Sequence, residues 1–414
     1  MLRKILSGFK ILFIMVLMMA VVTIALMYVS RVPNLAEWLT AGAQEAEDEN
    51  GAVSRIATAI LGGDGEVIAV ELEPEIILTG VRYSETGGTL ELPINGATGW
   101  AATNTPLRSE PTSNVGTVQN LSPGQGFVIL EGTGNWWHVE LDGATGWVDR
   151  RACFINLPDV LPSIIYTNTN VSASLKSSNG FDIPDVSWQQ LYNARTYNPR
   201  LGREEYIMPA KFTMALALYE VQQFALADGD TIILYEAFRP SDAQRAVVDG
   251  MNTLIAENTF VRDAITRGPW NLGWFISTGV SNHQRGAAVD VSIGSIRYFE
   301  YRQTGDFIYR HILDYRQYIM PTNMHELSPW AAIVDSPRSI TAAQILAGNV
   351  NMSSTVTPGV INLQTAFAHS GFTPLASEWW HFNHPPSVSA ARDRGFTGNF
   401  HTETVYSRPP VIAD

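Results

Sequence analysis

Lysine is nearly missing from this chain. Of 414 residues only Lys4, Lys10, Lys176 and Lys211 are lysines, and the net charge is −13. No basic stripe exists with which to neutralise phosphates, so nucleic acid is excluded as a partner. Cysteine is scarcer still. The single Cys153 can form no intrachain disulfide and rules out a cysteine-rich zinc ribbon, so any metal must be held by histidines and carboxylates. Cys153 itself reads as a buried structural thiol. Charged residues make up 16% against 45% hydrophobic, the balance of a folded chain, and the length suggests two or three folded units.

Charge is wholly absent from residues 11–29, a run long enough as a helix to cross most of a hydrocarbon core. Arg3, Lys4 and Lys10 precede it and Arg31 alone follows, which by the positive-inside bias leaves the N-terminus in the cytoplasm and the rest outside a bacterial membrane. The small-residue site Ala41-Gly42-Ala43 lies about a dozen residues beyond the run, farther than cleavage sites normally sit, so an uncleaved anchor is favoured over a cleaved signal. Residues 1–35 are expected to be a cytoplasmic tail and single-pass anchor. Residues 36–64, acidic at Glu45, Glu47, Asp48 and Glu49, are expected to be a linker.

Residues 65–158 change texture to short β-rich runs separated by Gly, Asn and Pro, the pattern of a small barrel. Gly96-Ala97-Thr98-Gly99-Trp100 is echoed by Gly143-Ala144-Thr145-Gly146-Trp147, which raises the possibility of a degenerate first copy. Residues 99–153 resemble the bacterial SH3-like domains of wall-associated enzymes. Leu107-Arg108-Ser109-Glu110-Pro111, Leu121-Ser122-Pro123-Gly124, Trp136-Trp137-His138-Val139 and Gly146-Trp147-Val148 carry the likeness. The resemblance implies a module that binds the cell wall; a spacer is the alternative.

In residues 159–405 helices and strands alternate. Apolar Phe212, Leu216, Tyr219 and Phe224 recur near helical spacing up to Asp228-Gly229. Thr231 to Tyr235 is a β-branched run expected to be a buried strand. After Pro240, Ser241-Asp242-Ala243-Gln244 has the form of a capping box. Glu236 to Arg239 therefore falls at a strand end, where side chains often point into a cleft.

Two segments carry chemistry. Ala288 to Ile293 alternates as a strand, with Asp290 on one face and Val289, Val291 and Ile293 on the other. A carboxylate on a core strand needs compensation, which a metal ion supplies, and His283 just before the strand is placed to be a second ligand. Downstream, Ser377-Glu378-Trp379-Trp380-His381-Phe382-Asn383-His384 puts a carboxylate and an imidazole three residues apart beside two tryptophans. Two histidines and one carboxylate with an open position form a common catalytic zinc set. Taken singly, each has a plainer reading: a satisfied polar histidine, a locally bonded aspartate, a core tryptophan pair.

Ser-x-His-x-x-Gly-x-Ala-x-Asp at Ser281 to Asp290, followed by Glu-x-x-His at Glu378 to His381, resembles the paired signature of the zinc D,D-peptidases, the D,D-carboxypeptidases and VanX-like D-alanyl-D-alanine dipeptidases. Glu378-Trp379-Trp380-His381-Phe382, Tyr235-Glu236-Ala237-Phe238-Arg239-Pro240 and Tyr192 to Asn198 look like the dipeptidase branch. The resemblance implies an α+β domain with a central antiparallel sheet and one Zn2+ held by His283, Asp290 and His381. It also implies Glu378 as general base and acid, Arg239 opposite the oxyanion, and Ser281, Tyr235 and Trp380 near substrate.

Rival mechanisms leave little trace. His325-Glu326-Leu327-Ser328-Pro329 begins like H-E-x-x-H but has Pro329 where the second histidine must stand. The Ser-x-x-Lys of serine D,D-peptidases occurs only at Ser7 to Lys10, ahead of the expected anchor. The expected fold is thus an N-terminal transmembrane helix, a small SH3-like β-barrel and an α+β peptidase domain. The expected function is extracytoplasmic hydrolysis of D-Ala-D-Ala, with trimming of peptidoglycan stem peptides or an inactive wall-binding adaptor as alternatives. The partners would be the dipeptide or stem peptides, the cell wall and the membrane.

Overall fold

The β-rich runs between Gly, Asn and Pro become the strands of a first sheet: β1 (Thr98–Ala101), β2 (Thr105–Arg108), β3 (Thr117–Leu121), β4 (Gly126–Thr133), β5 (Trp136–Leu141), β6 (Ala144–Asp149) and β7 (Cys153–Asn156). The computed structural model describes residues 78–412. Alternation selects the inner face of each strand. In β5, Trp137, Val139 and Leu141 are buried while Trp136, His138 and Glu140 are half-exposed. Both copies of the Gly-Ala-Thr-Gly-Trp echo are a turn feeding a strand. Gly96 and Gly143 sit at φ 77° and 79°, the left-handed region that favours glycine, and the strands they open lie in this one sheet.

Beyond it come β8 (Ile165–Tyr166), the small hairpins β9 (Ser177–Ser178) with β10 (Phe181–Asp182) and β11 (Arg195–Asn198) with β12 (Arg203–Tyr206), and β13 (Pro209–Ala210). β13 pairs with β7, so the first sheet runs β13-β7-β1-β4-β5-β6-β2-β3. Cys153 in β7 is buried and unpaired, and burial pushes its thiol well above the usual range.

The second sheet uses β14 (Asp230–Glu236), β15 (Ala288–Thr304), β16 (Phe307–Gln317), β17 (Thr373–Leu375) and β18 (Glu378–Asn383), in the order β17-β18-β15-β14-β8 with β16 on the far half of β15. It is antiparallel except that β14 and β8 run parallel, so the sheet is mixed where an antiparallel one was expected. Val289, Val291 and Ile293 share a hydrophobic core with Ile232, Leu234 and Phe382. The helix Phe212–Ala227 buries Met214, Leu218, Val221 and Ala225, while Phe224 is exposed. That helix is apolar nearly all round, so aromatic spacing alone misjudges which side faces inward.

The fold class read from the sequence needs one further correction. Among the described residues no helix is long and apolar enough to cross a membrane. The most apolar long helix, Phe212–Ala227, has 16 residues, about 24 Å at 1.5 Å per residue, short of the roughly 30 Å of a hydrocarbon core. The uncharged run at 11–29, on which the transmembrane expectation rested, lies outside the described residues.

Candidate metal centre

Strand register assembles the site. Asp290 on the central strand β15 pairs with Glu236 on β14 and with His381 on β18. Three polar side chains from neighbouring strands thus meet in one row. His283 enters from the loop before β15, where Gly286 at φ 58° turns the chain. A Cβ on Gly286 would lie 2.6 Å from the Phe154 ring, so both backbone and packing require glycine. Gly286→Ala is expected to cost at least about 1–2 kcal/mol, lowering the unfolding midpoint and weakening metal binding together. Calorimetry with and without zinc checks this; an unchanged midpoint would contradict it.

His283 Nε2, Asp290 Oδ1 and His381 Nδ1 lie 3.0–3.2 Å from one another. All three residues are buried. The outer ring nitrogens set the tautomers. His283 Nδ1–H donates to Ala237 O at 2.8 Å. His381 Nε2–H donates to Asn383 Oδ1 at 3.2 Å, an oxygen that also accepts from Asn282 Nδ2 at 2.7 Å. Two bare imidazole nitrogens and a carboxylate oxygen therefore face one another with no hydrogen between them. Such a trio needs an extra proton or a cation. Tetrahedral zinc at about 2.0–2.1 Å from N and O ligands spaces them about 3.3 Å apart, so the residues fit the ion the sequence implied.

Charge balance points the same way. Three buried carboxyl groups, Asp290, Glu236 and Glu378, stand against the two basic side chains of Arg239 and Lys176, so the third carboxyl needs a proton or a bound cation. Glu378 Oε2 stands 3.8 Å from His381 Nδ1, and burial pushes the metal-free carboxyl up to about 8. Three residues apart on a regular strand they would point to opposite faces; they meet beside a register shift in the β17–β18 pairing. Burial also lowers His283; at His381 burial is the largest cause and lowers it, but the bond and charge of Asp290, the Glu378 charge and the bond to Asn383 together outweigh it and raise the imidazole.

Beneath the trio is a second polar layer. Arg239 Nε donates to Glu236 Oε2 at 2.9 Å, its Nη1 to Gln244 Oε1 at 2.8 Å and its Nη2 to Asp290 Oδ2 at 3.3 Å. Glu236 also accepts from Asn170 at 2.7 Å and Tyr192 at 2.8 Å, with Lys176 Nζ 3.6 Å away. Burial would raise the Glu236 carboxyl, but Arg239 and Lys176 hold it well below the usual carboxylate range. The expected capping box does not form: Gln244 Nε2 turns to Ser277 O at 2.8 Å and the helix Ser241–Glu257 has no side-chain cap. Gln244 orients Arg239 instead.

His325, set aside on sequence because Pro329 breaks H-E-x-x-H, reaches the site without the second histidine of that motif. Its Nε2 lies 3.0 Å from Asp290 Oδ2. His325, Glu236 and Asp290 could be read as a second metal group. Arg239 already touches both carboxylates, so that position holds its cation.

His283, Asp290, His381, Glu378, Arg239, Ser281 and Trp380 all line a cleft of about 230 Å3. Tyr235 does not: it falls in the register shift between Leu234 and Glu236, and its hydroxyl bonds Gln317 at 3.0 Å. His384 bonds Ser387 Oγ at 2.7 Å rather than the centre. Lys176, His325, Arg285 and Arg392 are among the lining residues to which sequence reasoning gave no role. His325 stands in a broken metal motif and Lys176 in none; the scarcity of lysine in the chain was the one signal available for Lys176.

No curated protein matches this chain. Residues 101–152, from the end of β1 to the turn before β7, match the bacterial SH3 domain family, and this part of the chain is a bacterial SH3 domain.

Proposed function

We propose that the cleft is the active site of a zinc D,D-peptidase acting on cell-wall peptides, with D-Ala-D-Ala as the leading substrate. The observation that carries the metal is the convergence of His283 Nε2, Asp290 Oδ1 and His381 Nδ1 with no hydrogen to share. The D,D-peptide part rests on the resemblance of Ser281 to Asp290 and Glu378 to His381. A bound zinc ion would supply Lewis-acid polarisation and would acidify the attacking water towards about 7.

The chain's own residues supply the rest. The Glu378 carboxylate accepts no hydrogen bond among the described residues, and His381 Nδ1 lies 3.8 Å from it. It is free to take a proton from the attacking water and return it to the leaving amine. Arg239 is locked by Glu236 and Gln244, so its charge opposes the developing oxyanion without reorganising. Trp380, almost fully buried at the cleft, excludes water. The small cleft suits a dipeptide or a peptide end rather than a glycan strand. Arg285 and Arg392 line it, and the bonds Arg285 Nη1 makes are to neutral partners, Val280 O and Asn282 Oδ1, which leaves the charge that a free C-terminal carboxylate needs.

Bacterial SH3 domains commonly bind cell wall, and half-buried Trp136 and the stacked His138–Trp147 pair, 4.9 Å between centroids, offer aromatic surface for that. This module favours a second reading, a D,D-carboxypeptidase acting on stem peptides. D-alanine release from D-Ala-D-Ala and from a stem pentapeptide decides between them. Release from the dipeptide is expected; cleavage of the longer peptide alone would give the second reading. Wall binding with neither hydrolysed would make the chain an adaptor and overturn both. Arg285→Ala should raise KM about 10-fold or more with kcat little changed, the loss of a charged hydrogen bond made equally to ground and transition states. An unchanged KM would remove Arg285 from the carboxylate site.

A further inference from the structure

The two oxygens of Asp290 are divided between two environments. Oδ1 faces His283 and His381 at 3.2 and 3.0 Å. Oδ2 faces His325 Nε2 at 3.0 Å and Arg239 Nη2 at 3.3 Å. His325 Nδ1 is buried without a partner. A bare lone pair tolerates that far better than an N–H would, so the proton sits on Nε2 and is donated to Asp290.

The backbone is arranged to present this donor. His325 sits at φ 63°, a left-handed conformation uncommon for a residue with a side chain, and such strain persists only where surrounding contacts over-determine it. The contacts are present. Ser177 N donates to His325 O at 3.2 Å, Leu327 N to Ser177 O at 2.7 Å, and Ser177 Oγ to Glu326 Oε2 at 2.5 Å. Trp380 closes the other side, its ring perpendicular to the imidazole at 5.9 Å. A segment with the beginning of a zinc-helix motif is thus bridged to Ser177 and aims its histidine at the back of a ligand.

We infer that His325 is a positioning residue which holds Asp290 Oδ2, commits Oδ1 alone to the metal, and thereby sets metal affinity. This rests on the zinc reading above. Supporting partners of this kind commonly change metal affinity 10–100-fold. His325 touches neither substrate nor metal in this role; it acts through Asp290.

Zinc affinity of the full chain, measured by competition with a chromogenic chelator, tests it on His325→Phe and His325→Gln. Both variants carry a side chain at the same strained backbone position, and only Gln can donate to Oδ2. His325→Phe should bind zinc 10–100-fold more weakly and His325→Gln should recover most of the loss, while the zinc-free unfolding midpoints of the two variants agree. Wild-type affinity in His325→Phe, or equal weakness in His325→Gln, would overturn the assignment. A wild-type chain that binds no zinc would overturn both this inference and the zinc reading, whereas tight wild-type binding with unaltered variants would overturn this one alone.

Discussion

Replacing Glu378 by Gln should leave zinc bound and lower kcat for D-alanine release by about 10²–10⁴-fold, the usual worth of a positioned general base. The substitution keeps shape and removes only basicity. Glu378 is not among the three atoms that converge within 3.2 Å, and its nearest approach to one of them is 3.8 Å. Its carboxylate is also uncommitted, which distinguishes it from the neighbouring Glu236, whose oxygens are taken by Asn170, Tyr192 and Arg239. Zinc content and kcat measured on the same preparation check the expectation. Loss of zinc in Glu378→Gln would make Glu378 a ligand, and full activity would remove it from proton transfer.

Asp290→Asn should abolish the stabilisation that zinc confers. A ligand that binds only the folded state at about 100 times its Kd stabilises it by about 2.7 kcal/mol, so zinc should raise the wild-type unfolding midpoint clearly. In Asp290→Asn the amide keeps the shape and can still accept from His325, but the one negative charge among the three ligands is gone and a buried positive ion would be undercompensated. The loss of affinity should exceed the 10–100-fold expected of a supporting residue. Thermal unfolding with and without zinc reads this directly. An equal zinc-induced shift in wild type and Asp290→Asn would show that the ion binds elsewhere.

Much of this site could be read from the residues, for reasons of register. His283, Asp290, Glu378 and His381 lie in two short segments whose local pattern carries their chemistry, and the pairing of Asp290 with His381 then brings the segments together. The β-rich texture of residues 99–153 likewise reflects alternation that the SH3 strands obey. What escaped the sequence depends on long-range contacts. Lys176 reaches Glu236 across 60 positions, and His325 is turned inward by a bridge to Ser177, neither marked by any spacing. Gln244 satisfied a capping pattern but found a stronger partner in buried Arg239. Tyr235 shared a motif with Arg239, yet it falls in a register shift of β14 and bonds Gln317 instead of lining the cleft. The transmembrane expectation came from the apolar run at 11–29 and its flanking charges, which lie outside the described residues; among the described residues no helix is long and apolar enough to cross a membrane.

D-alanine release from D-Ala-D-Ala by the full chain, before chelation, after removal of all metal, and after return of one equivalent of zinc, bears on the proposal more directly than any other measurement. Activity that vanishes with the metal and returns with zinc is the expected result. Hydrolysis that persists in the metal-free protein would contradict a catalytic role for a metal held by His283, Asp290 and His381.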